Sequence, residues 1–291
     1  MFKNFFKQFS KDVGLDLGSS HTRVYVRDKG IVVDEPSIVA LNSKTDQIIA
    51  VGHTARDMVG KTPGHISTSR PLLRGIISDY EVAEKMIKYF IDKVHEDGIN
   101  LVPRPRIVVA APLEITEVER KAVEDAAYAA GASEVHVIEA PMAAAFGVRL
   151  PVEDAVGTMI VGVGAGVTEV AVISLGGVVT WRSIQVMISD SHVREAIQRS
   201  VKTIIDTVKA TIEVTPPELV ADIHERGIVL VGGGAQLRGL DRTLARAAEI
   251  PVRVADDPTT AVVRGTGLLL EHPSVLAEVE LPSARLQDKV G

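Results

Sequence analysis

Three glycine-rich stretches of this 291-residue chain hold the residues whose type and spacing could grip an anion. In the first, Gly14-Leu15-Asp16-Leu17-Gly18-Ser19-Ser20-His21-Thr22 runs into the strand-like Arg23-Val24-Tyr25-Val26. In the second, Gly162-Val163-Gly164-Ala165-Gly166-Val167-Thr168 runs into Glu169-Val170-Ala171-Val172. The third is Gly232-Gly233-Gly234-Ala235, entered from the apolar Ile228 to Val231. A turn poor in side chains exposes backbone N–H groups, and several together form a concavity for phosphate. Ordinary hairpins use glycine too, so one such turn says little. The first two share a frame, however: Gly18 and Thr22 recur as Gly164 and Thr168 at an offset of 146. That is about half the chain, and it predicts a duplicated lobe.

A second kind of chemistry sits at the start. Residues 1–11 carry Phe2, Phe5, Phe6 and Phe9, four of the chain's six phenylalanines. Their i, i+3, i+4, i+7 spacing puts the rings on one helix face. Lys3, Lys7 and Lys11 lie mainly on the other side, with no acid among the eleven residues. Aromatics opposite lysines suit a helix lying in an anionic membrane surface. The alternative is a terminal helix docked on its own domain. One copy would hold weakly, because each buried Phe gains roughly 1.5–3 kcal/mol while ordering the backbone costs roughly 1–2 kcal/mol per residue. Many copies along an assembly would hold by avidity.

The elements that must position these groups alternate. Ile107 to Ala110 reads as a buried strand, followed by a helix that opens on the capping box Thr116-Glu117-Val118-Glu119. Val135 to Ile138 is a strand, and an alanine-rich helix follows from Met142. Asp79 can cap a helix whose apolar face includes Val82, Met86, Ile87, Phe90 and Val94. A long helix from about Ser191, with Val193, Ile197, Val201, Ile204, Ile205, Val208 and Ile212 inward, ends at Thr215-Pro216-Pro217. Strands alternating with helices predict an α/β fold with mixed sheets.

Bulk composition sets outer limits. At 46% hydrophobic and 24% charged residues the chain has material for a sizeable core. The net charge of −6 argues against general nucleic-acid binding. With no cysteine there are no disulfides or thiolate metal sites, which agrees with a reducing cytoplasm. No apolar run approaches the ~20 residues of a membrane span, and nothing resembles a signal peptide.

In the positions of its three turns the chain resembles the actin-like ATPase superfamily, and more narrowly the MreB/Mbl cell-shape family. The signatures are Gly30-Ile31-Val32-Val33-Asp34-Glu35-Pro36-Ser37, Gly60-Lys61-Thr62-Pro63-Gly64, Ile115 to Arg120, Thr168 to Gly176, Thr215-Pro216-Pro217-Glu218-Leu219 and Glu225-Arg226-Gly227. The resemblance implies duplicated ribonuclease H-like lobes, with ATP and Mg²⁺ as cofactors. Asp16, Gly18, Ser19, Ser20, His21, Gly164, Ala165, Gly166, Gly232, Gly233, Gly234 and Ala235 would bind the nucleotide, and Asp16 would hold the metal through water. It further implies filaments of this chain, or assembly with another MreB-like protein. These would lie in the cytoplasm at the inner face of the cell membrane, with membrane proteins of the wall-elongation machinery as partners.

Four departures from the family pattern bear on catalysis. The second turn usually opens Asp-x-Gly-Gly-Gly-Thr, and Gly162 stands at the Asp position. The family's Glu-Glu-Pro has become Glu139-Ala140-Pro141, and Ala140 can neither orient nor deprotonate water. As a helical neighbour, Glu139 would point about 100° away. The first turn reads Ser19-Ser20-His21 for the usual Thr-Ala-Asn. Finally, a small nucleotide-covering subdomain is expected to be lacking, since Met187 to Asp190 passes almost directly into the helix at Val193. The expectation is a filament or scaffold protein with no catalytic residue and little or no ATP hydrolysis. Its alternatives are an orthodox ATP-hydrolysing filament protein or a non-polymerising adaptor on another MreB. The expected layout is a membrane helix at 1–11, a first lobe at 12–145 with a small subdomain at about 30–75, and a reduced second lobe at 146–260. A helix at 261–279 would return to the first lobe, and 280–291 would form a flexible tail.

Overall fold

The computed structural model describes residues 12–95, 105–184 and 193–281, with the side chains of 193–198 left out. The membrane-helix motif at 1–11 and most of the expected tail therefore lie outside the described residues. In chain order the elements are β1 (Val13–Leu17), β2 (His21–Val26), β3 (Gly30–Pro36), β4 (Val39–Asn42), β5 (Ile48–Val51), α1 (His53–Met58), β6 (Ile66–Ser69), β7 (Leu72–Leu73) and β8 (Ile76–Ile77). Next come α2 (Tyr80–His95), β9 (Arg106–Ala111), α3 (Glu117–Ala129), β10 (Glu134–Glu139), α4 (Ala140–Gly147), β11 (Thr158–Val163), β12 (Thr168–Ser174) and β13 (Gly177–Ile184). The chain continues with α5 (Val193–Val214), α6 (Pro217–Arg226), β14 (Ile228–Val231), a 3₁₀ turn at Gly233–Gln236, α7 (Leu240–Ala248), β15 (Val252–Val254), α8 (Ala261–Glu271) and α9 (Pro273–Val279).

The inferred duplication is visible in the sheets. One is ordered β10-β9-β1-β2-β3 and the other β13-β12-β11-β14-β15. In each, a strand pairs antiparallel with its successor across a glycine turn, β1 with β2 and β11 with β12. In each, that same strand pairs parallel with one much later in the chain, β1 with β9 and β11 with β14. The parallel strands are covered on both faces, so they read as unbroken apolar runs such as Ile107-Val108-Val109 and Ile228-Val229-Leu230, all buried.

The contacts form two compact units. Among the described residues, the first comprises 12–95, 105–111, 115–138 and 280–281, and the second 112–114, 139–184 and 193–279. In the first, α2 turns Val82, Met86, Ile87, Phe90 and Val94 to a core shared with Val13, Leu15 and Ile107, and Asp79 Oδ1 accepts from Val82 N at 3.2 Å. The Thr116/Glu119 capping box of α3 is formed in full. The small three-stranded sheet β5-β4-β6 begins at Val39, because β3 is the edge of the large sheet. Glu280 and Leu281 lie along β10, where Leu281 N donates to Val137 O at 2.8 Å.

α8 packs on α4 within the second unit. The two helices touch backbone to backbone. A Cβ on Gly147 would stand 1.8 Å from Ala261 O, and one on Gly265 would stand 1.6 Å from Ala143 O. α4 also starts at Ala140 rather than Met142, because Pro141 is preorganised for a helix's first turn.

Candidate functional site

In the first unit the hairpin β1–β2 presents the turn Gly18-Ser19-Ser20. Gly18 is required sterically, since a Cβ there would meet His21 O at 2.7 Å. The turn is pinned from below: Ser37 Oγ donates to Gly18 O at 2.6 Å and lies 2.9 Å from Thr22 Oγ1. Ser37 N donates to Ser20 O at 2.9 Å. The expected serine contacts are partly taken. Ser19 Oγ accepts from Gly75 N at 2.8 Å, and Ser20 Oγ lies 2.9 Å from His21 Nδ1.

Register places Asp16 opposite Arg23 and Arg23 opposite Asp34 on three adjacent strands. Arg23 Nη1 lies 3.7 Å from Asp16 Oδ2, and its Nε lies 3.1 Å from Asp34 Oδ1. Burial pushes the Asp16 carboxyl up to about 6, against the opposing pull of Arg23 and with a further push from Asp34. His21 is held below the usual imidazole value, first by burial and then by Arg23, with His53 and Arg56 adding to the effect and Asp34 opposing it.

The second unit holds the other two turns. Gly164 N donates to Val167 O at 2.9 Å, which closes the β11–β12 hairpin and leaves Gly164 and Ala165 exposed. The third turn lies against the base of the second. A Cβ on Gly232 would come within 2.5 Å of Val163 O, and one on Gly234 within 2.1 Å of Val163 Cγ1. Ala235 is core, 2% exposed. Close packing thus explains Gly232, Gly234 and Ala235 without any ligand, and only exposed Gly233 has open space around its Cβ position.

Gly162 is different. Nothing stands nearer than 3.7 Å to a Cβ there, and its backbone is not left-handed. A Cβ would sit here in ordinary van der Waals contact, so close packing does not demand glycine. Directly across the hairpin from Gly162 is Glu169, 6% exposed, whose Oε1 accepts from Leu113 N at 2.7 Å. Burial lifts its carboxyl to about 7; the Leu113 hydrogen bond opposes this, and Glu139 and Glu114 add to it. Glu139 is also raised by burial. It stands in extended backbone as the N-cap of α4, not one helical step from Ala140, so the 100° argument does not apply to it.

Neither unit suits Mg²⁺. Asp16 already faces the cation Arg23, Gly162 offers no ligand, and among the described residues no three His, Cys, Asp or Glu side chains group to hold a metal. Arg23, Asp34, Ser37, Gly75 and Glu169 were not among the expected site residues. Their only trace in sequence is the hairpin register, which sets Arg23 across from Asp16.

With this geometry in hand, the comparisons are clear. The MreB/Mbl protein family matches residues 10–187 and 184–278. The cell shape-determining protein MreB of Escherichia coli (strain K12) is 39% identical over 335 residues, covering 93% of this chain and 96% of that protein. The cell shape-determining protein Mbl of Bacillus subtilis (strain 168) is 35% identical, covering 94% and 99%. Among solved structures, MreB5 of Spiroplasma citri bound to ADP superposes with a TM-score of 0.83 at 28% identity, over 91% of this chain and 97% of that one. The MamK double helical filament, at 0.73 and 18%, shares the fold. The chain belongs to the MreB/Mbl family of cell shape-determining proteins, built on the actin-like fold.

Proposed function

We propose that this protein is a membrane-bound cytoskeletal filament that assembles with little or no ATP turnover. The observation that carries the reading is Gly162: packing does not exclude a Cβ there, yet the position holds no carboxylate. Ala140, the first residue of α4, removes the second acid. Loss of both takes away the two carboxylates that the family resemblance assigns to the metal-bound waters and to the attacking one. MreB5 has been solved with both ADP and AMPPNP, which supports weak nucleotide binding here through the phosphate turns.

The match to the family breaks at 184–187, where the nucleotide-covering subdomain is expected to be lacking. The stretch matched to the E. coli protein, 335 residues, is longer than this whole chain. The relative thus carries residues that have no counterpart here. Both facts support a reduced second lobe, with fewer groups to contact base and ribose.

Electron microscopy on anionic lipid tests assembly and anchoring together. Filaments are expected on the lipid with or without ATP. Removal of residues 1–11 should abolish lipid binding and leave both filaments and melting temperature unchanged. Each lysine near an anionic surface contributes about 1 kcal/mol that salt screens, whereas the phenylalanine share resists salt. A truncated protein that melts lower and still binds lipid would show that the four rings pack on the protein instead. Particles that never polymerise under any of these conditions would favour the adaptor.

A further inference from the structure

The Asp16–Arg23–Asp34 row suggests what replaces the metal. We propose that Arg23 is the resident cation of the first turn, so that a phosphoryl anion binds there without any divalent metal. This rests on the phosphate reading of the turn and specifies its cofactor requirement.

Cross-strand neighbours share one face of a sheet, and side chains two apart on one strand do too. Asp16, Arg23, Asp34 and His21 therefore lie on a single face. Asp16 Oδ1 is 3.9 Å from the Cβ position of Gly18, and its Oδ2 is 3.7 Å from Arg23 Nη1. The guanidinium is thus one carboxylate removed from the turn. Its side chain is only 15% exposed. The Nε is buried and makes no hydrogen bond, although Asp34 Oδ1 lies near. The Nη end of this planar fork, not the buried Nε beside Asp34, is the part suited to phosphate oxygens.

A divalent cation brought to Asp16 would meet this fixed positive charge at close range and would compete with it for the same carboxylate. Arg56 adds to the positive charge near His21. Asp34 opposes it, and Glu35 is taken up by Lys93 at 2.9 Å and by the His53 N–H at 2.8 Å. A site built this way prefers an anion that arrives bare.

The test is calorimetric titration of the full chain with ATP and with pyrophosphate, each in EDTA and in millimolar Mg²⁺. The wild type is expected to bind both anions with affinities that agree within about twofold between the two conditions. Arg23→Gln should weaken binding in EDTA by about tenfold or more and recover part of it when Mg²⁺ is added. Arg23→Lys, which keeps the charge, should remain indifferent to the metal. A wild-type affinity that rises by about tenfold or more with Mg²⁺ would overturn the proposal and leave the phosphate reading standing. No binding of either anion in either condition would overturn both. Should Arg23→Gln fail to fold, the wild-type comparison and Arg23→Lys still decide.

Discussion

Gly265→Ala is expected to unfold the second unit, or to lower its melting temperature by roughly 10 °C. The new methyl would arrive 1.6 Å from Ala143 O and 2.5 Å from Ala143 C. Both are backbone atoms of α4, and α4 is held in turn by Gly147 against Ala261 O. Neither helix can yield by rotating a side chain, so they must separate. Overpacking a core usually costs about 1–3 kcal/mol, and a backbone-on-backbone clash should exceed the top of that range. For a unit of this size each kcal/mol moves the midpoint by roughly 2–4 °C. Gly233→Ala is the control: its Cβ position is open, so its melting curve should overlay the wild type. A Gly265→Ala protein that melts within about 2 °C of wild type would mean the helices do not touch as described.

Glu169→Gln is expected to stabilise the protein above neutral pH and to cost it about 1 kcal/mol below pH 5. A carboxyl whose folded value is raised from 4.5 to about 7 contributes stability fully below the unfolded value. It loses that contribution as pH rises through the folded one. Between 4.5 and 7 the wild type should therefore weaken by about 3 kcal/mol from this group. Glutamine keeps an oxygen for the Leu113 N–H and cannot ionise. Its extra buried N–H groups take back about 1 kcal/mol, leaving a net gain of about 2 kcal/mol at pH 8. Denaturant unfolding of both proteins at pH 5 and pH 8 measures the gap. A gap equal at both pH values would show that Glu169 is ionised throughout.

These residues also mark how far the sequence could be read. The two glycine hairpins, their offset, the α2 core face and the Thr116 cap were all legible, because each rests on spacing within one element or between two copies of it. Arg23 was not, since only hairpin register brings it against Asp16, and Asp34 is a further eleven residues on. Gly147 and Gly265 gave no sign of being partners, because helix periodicity says which face is apolar and nothing about which helix it meets. At Glu139 the strand runs into the helix without a loop, and sequence could not show that extended backbone would aim the side chain differently from a helical step. The third turn carried two messages at once: Gly232 and Gly234 look like nucleotide contacts, yet contact with Val163 already demands glycine at both.

This member of the MreB/Mbl family keeps the family fold, and we propose that it has given up turnover. Steady-state phosphate release from ATP, run beside the E. coli relative under conditions where filaments are seen, tests it most directly. The wild type should stay at buffer background. Gly162→Asp with Ala140→Glu should recover little, because the expected nucleotide-covering subdomain is still lacking and Arg23 still holds Asp16. Release by the wild type at the rate of the relative would contradict the account.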